Sequence, residues 1–214
     1  MTAFYDEAYF ERQRRVGRFG ATANRIKFEP YISPQHHVAD FGCGGGFLLS
    51  GFSCKQKTGV EINPAAAAEA RRNGLTVFAN VAEIDGERVD VFISDNALEH
   101  VVDPYAVVKE VHRALKPGGT AIFVVPCESN LMRFREDDPD QHIYSWSPGA
   151  LGNLFKLAGF EVIESRPFIH RWPPKPELVE KLLGARGFHL AARLWGAMCL
   201  SIQQVRVVAR KPGK

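Results

Sequence analysis

The sequence predicts an α/β protein built on one doubly wound, mostly parallel sheet of seven strands with helices on both faces. Two observations carry this expectation. Short β-branched or aromatic runs alternate with longer stretches of helical spacing, the pattern that βαβ units leave in a sequence. Three helical stretches begin at an X-Pro pair and stop at glycine: Asn63-Pro64 to Gly74, Asp103-Pro104 to Gly118-Gly119, and Ser147-Pro148 to Gly159. Proline suits the first turn of a helix and glycine the position past its end. With 214 residues and 45% apolar content, the chain can bury the core of one domain with an appendage.

The elements follow in order. Residues 1–35 carry two helical patterns, FYDEAYFERQ and RFGATANRIKF, and are expected to form an N-terminal helical lid whose aromatics are Tyr5, Tyr9 and Phe19. Strands are expected over 38–41, 58–61, 76–79, 89–94, 120–125, 161–164 and 203–210, so residues 36–165 and 201–214 make the core. Pro117-Gly118-Gly119 reads as the turn that ends the second helix. Residues 166–200 form a basic, aromatic insertion. Its first part, RPFIHRWPPKP, is too proline-rich for sheet or helix, and the helical spacing beyond it is interrupted by Gly184 and Gly187. Trp172, Phe188 and Trp195 suit it to covering a substrate cleft.

Charge and cysteine usage narrow the function classes. The net charge is +3, but residues 166–214 hold ten Lys/Arg against two acids, which leaves +8 there and −5 elsewhere. Such a tail favours an acidic, glycan or lipid-like small molecule over nucleic acid. Cys43, Cys54, Cys127 and Cys199 form no C-x-x-C pair, so neither a zinc site nor a disulfide framework is expected. The acids of REDDPDQ read as a solvated turn, and no metal is assigned. The N-terminus is charged where a secretory signal needs apolar residues, and no run nears the roughly 20 residues of a membrane span. A cytoplasmic protein without stable membrane insertion, and able to form a homodimer, is expected.

The stretch VADFGCGGGFLL supplies the chemistry. A strand that feeds a tight glycine turn and then a helix is a cofactor cradle, because glycine lets a ligand approach the backbone. Gly42, Gly44 and Gly46 give G-x-G-x-G, with Phe47 where a dinucleotide fingerprint needs its third glycine. Asp40, two residues before the turn, would repel a phosphate and attract an ammonium or sulfonium group. Glu61, ending the second strand, is placed to accept hydrogen bonds from both hydroxyls of a ribose.

With D-x-G-x-G-x-G at 40–46, Glu61, LEHV at 98–101 and LKPGG at 115–119, the chain resembles a class I S-adenosylmethionine-dependent methyltransferase of the small-molecule type over about residues 36–165. That resemblance implies a Rossmann-like methyltransferase fold whose last strand is antiparallel, and S-adenosyl-L-methionine as cofactor. It implies that Asp40, Gly42, Cys43, Gly44 and Gly46 line the methionine moiety, and that Glu61 with Ile62 meets the ribose side. Asn80 and the backbone of Val81 fall where the family contacts the adenine, although relatives usually carry an acid at the Asn80 position. Asp95 and Asn96 follow the fourth strand, beside the cofactor at the carboxyl edge of the sheet.

Methyl transfer from a sulfonium is an in-line displacement, so the protein must align the acceptor and exclude water. A base helps where the acceptor is a hydroxyl, and histidine suits that work. His142 and His100 are the catalytic candidates, His142 as base and His100 chiefly shaping the pocket, with Tyr144 and Trp146 as substrate walls. An acceptor oxygen is favoured over nitrogen. Two other functions compete: an NAD(P)-dependent oxidoreductase and a non-catalytic S-adenosylmethionine-binding regulatory subunit. Tyr105 and Lys109 match the Y-x-x-x-K of short-chain dehydrogenases, but no T-G-x-x-x-G-x-G opens the fold. The D/N-P-P-Y/F that nucleic-acid amine methylases carry after the fourth strand is replaced here by Ser94-Asp95-Asn96-Ala97.

Overall fold

The computed structural model describes residues 7–128, 133–138, 140–199 and 202–213. Its thirteen principal elements run α1 (Glu7–Ala23), β1 (His37–Phe41), α2 (Phe47–Ser50), β2 (Gln56–Val60), α3 (Pro64–Arg72), β3 (Thr76–Phe78), β4 (Val89–Asp95), α4 (Pro104–Ala114), β5 (Leu115–Glu128), α5 (Pro148–Leu157), β6 (Glu161–Phe168), α6 (Pro176–Met198) and β7 (Ile202–Arg210). The strands form one seven-stranded sheet in the order β3-β2-β1-β4-β5-β7-β6. β1 pairs in parallel with β2 and β4, β2 with β3, and β4 with β5, while β7 runs antiparallel between β5 and β6. The mixed sheet with an antiparallel last strand is the architecture expected from the sequence.

Side chains alternate across the pleat, and each face therefore buries its own core. On one face Phe92, Phe123, Val125 and Val207 pack under α4 and α5 against Val108, Val111, Leu151 and Phe155. On the other, Val91, Ile93, Ile122 and Val124 pack against Leu49, Ala67, Ala70 and Phe28. The three X-Pro starts behave as read. Asn63 Oδ1 accepts from the N–H groups of Ala65 and Ala66, Asp103 Oδ1 from Ala106, and Ser147 Oγ from Ala150. Each side chain satisfies a donor that the first turn leaves open.

Several boundaries differ from the sequence reading. Pro117-Gly118-Gly119 lies inside β5, where Gly118 has φ of 78° and the pairing with β4 shifts register between Val89 and Val91. The predicted helix end is thus a bulge, entered as soon as α4 stops at Ala114. β6 continues through Arg166 and Pro167 to Phe168. Proline is tolerated there because β6 is an edge strand and one side of its backbone needs no partner. The insertion is mostly α6, in which Gly184 alone leaves helical geometry, with φ of 66°, while Gly187 remains within the helix.

α1 is one continuous helix that leads into two short 3-10 turns, Arg25–Lys27 and Glu29–Tyr31. Phe19 meets Trp172 edge-to-face at 4.9 Å and Phe188 at 5.6 Å, so the N-terminal segment and the insertion share a small core with Ala23 and Ala192. Tyr5 lies outside the described residues, and for Tyr9 only the helical backbone is described. No helix among the described residues is long and apolar enough to cross a membrane.

Candidate active site

The strand order reverses between β1 and β4, and the loops that leave the carboxyl ends of these strands diverge around a crevice, the position where open α/β sheets take ligands. A cavity of about 970 Å³ opens there. The turn after β1 forms its floor. Gly42, Gly44 and Gly46 have φ of 71°, 52° and 73°, in the left-handed region that side chains disfavour. A Cβ on Gly42 would fall 2.4 Å from that of Ala97, and one on Gly46 within 3.1 Å of Ala70, so both allow close packing of the turn. Gly44 is different, because a Cβ there would meet nothing within 4 Å and would point into open space. It leaves room for a ligand rather than for the fold.

Glu61 is fixed by this turn. Its carboxylate accepts from Gly44 N at 2.9 Å and from Asn63 N at 2.8 Å. Burial raises its pKa, and the backbone donors hold the rise back. Asp40 is 3% exposed, and burial, followed by the fields of Asp95 and Glu61, pushes its pKa well above the usual carboxylate range. Three carboxylates, Asp40, Glu61 and Asp95, therefore face one cavity.

Among them Asp95 is paired with Lys27, whose Nζ donates to Oδ1 at 2.7 Å although Lys27 is itself only 2% exposed. Sequence reasoning missed Lys27, which sits in a stretch read as a plain helix. Asn96 adopts φ of 54° and links Asp95 to Gln204, donating to the first at 3.4 Å and accepting from the second at 3.0 Å. Asn80 and Val81 line the far end of the cavity, where the Asn80 N–H donates to Glu83 at 3.0 Å and opens the short turn Val81–Glu83. Ile62 lies on the wall and is 61% exposed. Cys43 also lines the cavity. Its thiol is buried against Gly59, and burial raises its pKa well above the usual thiol range.

The opposite wall comes from the turn Leu98–His100 and the segment after β5. Ile143 N and Tyr144 N both donate to Glu99 O, at 2.9 and 3.1 Å, while Trp146 N donates to Pro126 O. These bonds bring His142 beside His100, with ring centroids 5.0 Å apart. His142 Nδ1 lies 2.7 Å from Glu128 Oε1, and since a carboxylate only accepts, Nδ1 carries a proton, which in the neutral imidazole leaves the lone pair on Nε2. Glu99, between the two imidazoles, is fully buried, and among the described residues neither carboxylate oxygen has a hydrogen-bond partner in another residue. Burial pushes its pKa up to about 8, with Asp95 and Glu128 adding to the rise. Burial and the neighbouring His142 lower the pKa of His100. The signal for Glu99 in the sequence is an acid adjacent to a candidate histidine in LEHV.

Not every expected wall residue reaches the cavity. Trp146 is buried in the core under α5, and Tyr144 packs on it at 5.4 Å while donating its hydroxyl to Val102 O at 3.0 Å. The backbone bonds that seat His142 turn these two rings away from the cavity, and neither is among the residues that line it. Trp172 does line it, together with Gly17, Gly20 and Asn24 of the N-terminal segment. Tyr105 and Lys109 lie on α4 outside the lining, so the Y-x-x-x-K spacing does not meet the glycine turn.

Comparison with known proteins bears on this arrangement. Residues 10–165 match the family described as methyltransferase domain. A ubiquinone biosynthesis O-methyltransferase of Alkalilimnicola ehrlichii is 35% identical over 98 residues, which is 40% of this chain and 40% of that protein. Another protein of the same description, from Ruegeria pomeroyi, is 28% identical over 162 residues and 62% of each chain. The chain thus spans about two fifths to three fifths of the length of these curated relatives. Among solved structures, a methyltransferase of Haloferax volcanii in complex with the Trm112 activator aligns over 97% of this chain and 98% of its own, with a TM-score of 0.70 and 20% identity. An S-adenosylmethionine-dependent methyltransferase of Thermotoga maritima aligns over 94% of both chains at a TM-score of 0.67 and 21% identity.

Proposed function

Because the chain belongs to the class I S-adenosylmethionine-dependent methyltransferases, we propose that it transfers a methyl group to an oxygen of a small-molecule acceptor. The observation that carries this reading is the convergence of Asp40, Glu61 and Asp95 on one cavity floored by Gly44. A dinucleotide would set its pyrophosphate against these carboxylates, whereas a cofactor that bears an ammonium and a sulfonium relieves their mutual repulsion. In this reading Glu61 takes the ribose hydroxyls and Gly42 to Gly46 line the methionine moiety. Ile62 stays with Glu61 on the ribose side, Asn80 and Val81 meet the adenine side, and Asp95 and Asn96 close the edge.

When bound, S-adenosylmethionine supplies an electrophilic methyl group; S–C cleavage with O–C formation leaves S-adenosylhomocysteine, and the acceptor hydroxyl gives up one proton. The protein's part is to orient the acceptor and deal with that proton. His142 is held for this work, since Glu128 fixes its protonated Nδ1 and leaves Nε2 towards the acceptor side. His100 shapes the same wall. Trp172 and α1 cover the crevice, and the net positive charge of residues 166–214 suits an acidic acceptor. The four cysteines carry free thiols, in keeping with a reducing, cytoplasmic setting.

Calorimetric titration with S-adenosylmethionine, S-adenosylhomocysteine and NADH tests the cofactor. The first two are expected to bind, with affinity reduced at least about tenfold in Glu61→Ala, since each lost hydrogen bond to a charged group is worth about 1.5–3 kcal/mol. Binding of NADH alone would overturn the proposal. Transfer of a labelled methyl group to a panel of phenols and carboxylated alcohols then separates an enzyme from a non-catalytic binding subunit.

A further inference from the structure

We propose that Glu99, His100 and His142 form a binding site for a divalent first-row transition-metal ion on the acceptor side of the cavity. The three residues each offer a donor atom, and these atoms all lie within 4.8 Å of one another. Glu99 Oε1 stands 3.9 Å from His142 Nε2 and 4.0 Å from His100 Nε2. The chemistry of Glu99 is the second, independent observation. A fully buried carboxylate whose two oxygens accept no hydrogen bond from any other described residue is costly to maintain. An ion in front of that carboxylate satisfies it.

The surroundings fit a metal better than a bare proton relay. Glu128 Oε1 accepts a hydrogen bond from His142 Nδ1 at 2.7 Å and thereby aims Nε2 at the cluster, the arrangement by which a carboxylate orients a metal-bound imidazole. Backbone bonds from Ile143 and Tyr144 to Glu99 O tie the segment that carries His142 to the turn that carries the other two ligands, so the site is assembled before any ion arrives. Metal–ligand bonds of about 2.0–2.2 Å would require the three donors to draw together by roughly half an ångström to an ångström, within reach of small side-chain rotations. Two imidazoles and one carboxylate suit Mn²⁺, Fe²⁺, Co²⁺ or Zn²⁺ over Mg²⁺ or Ca²⁺, and three protein ligands leave positions open for the acceptor.

On the methyl-transfer reading, on which this role rests, the ion supplies Lewis acidity that ionises a bound acceptor hydroxyl, its proton passing to solvent. The Nε2 lone pair of His142 then serves as a ligand. The acids of residues 135–141, dismissed as ligands from the sequence, are not needed.

The experiment is a titration of chelator-treated full-length protein with Co²⁺ and with Mn²⁺, in the absence of S-adenosylmethionine, followed by visible absorption, electron paramagnetic resonance and thermal melting. One ion per chain is expected, with Co²⁺ ligand-field bands and a melting temperature that rises with ion concentration. Glu99→Gln and His142→Asn should each weaken binding at least about tenfold, and Glu128→Gln by about 10- to 100-fold. Glu99→Gln should keep its affinity for S-adenosylmethionine, because Glu99 is outside the cofactor residues. No binding by the unaltered protein at millimolar ion, or equal binding by Glu99→Gln, would overturn the site and leave His142 as a direct base. S-adenosylmethionine binding without metal binding overturns this inference alone. Metal binding without S-adenosylmethionine binding supports the site and sinks the methyl-transfer reading instead.

Discussion

Two glycines two residues apart along the chain do opposite work. Gly42 is closed in by Ala97, so Gly42→Ala forces a 2.4 Å approach and should cost about 1–3 kcal/mol of stability. Gly44 faces open space, so Gly44→Ala should cost only about 1–2 kcal/mol for its left-handed conformation. Its effect on S-adenosylmethionine affinity should be the larger one, a loss of at least about tenfold, since the new methyl enters the crevice. Melting curves and titrations of the two variants check the contrast; equal affinities in both would show that Gly44 does not face the ligand. These glycines and Glu61 were legible because turn, strand end and spacing are local properties of the sequence. Lys27 and the role of Glu99 were not, because each acquires its meaning from a partner far along the chain, Asp95 for the one and His142 for the other. Tyr144 and Trp146 were read as cavity walls from sequence proximity to His142, yet the bonds that seat the histidine point both rings elsewhere.

At the scale of elements, α1 lines the cavity with Gly17, Gly20 and Ala21. A Cβ on Gly20 would lie 3.3 Å from the Trp172 ring, and the branched side chain of Gly20→Val would push the helix off its seat. Valine is no worse than glycine inside a helix, so α1 itself should persist. Affinity for S-adenosylmethionine is expected to fall several-fold with little change in helicity by circular dichroism, and unchanged affinity would remove α1 from the role of a lid. The helix was visible in the sequence as two helical patterns; that it is one rod ending at Ala23 was not, since Gly17 stands between the patterns and reads as a break. Both strand extensions have the same lesson. Pro167 reads as a breaker until β6 is known to lie at the edge, and Gly118 reads as a stop until it is known to make a bulge.

For the molecule as a whole, acid stability should be set in part by His170, which is 8% exposed and lies 3.1 Å from His189 on α6. Burial, with Lys27 and the neighbouring histidine adding to it, lowers its pKa from 6.5 to about 3. Between those values the unfolded chain binds a proton that the folded protein does not, so stability rises with pH across that window and is lost as pH falls through it. The slope is at most about 1.4 kcal/mol per pH unit. Urea midpoints measured from pH 7 to pH 4 should therefore fall more gently in His170→Phe than in the unaltered chain; parallel curves would show that other groups govern. The order of the sheet was legible only in outline, because pairing between distant strands leaves no mark on either one. That order has a consequence for biosynthesis. β7 fills the gap between β5 and β6 but follows both of them in the chain, so as the polypeptide leaves the ribosome the long edge of β5 stays unpaired while α6 is being made. For that interval the nascent protein displays an open, apolar strand to its neighbours, and aggregation during synthesis competes with the arrival of a single late segment.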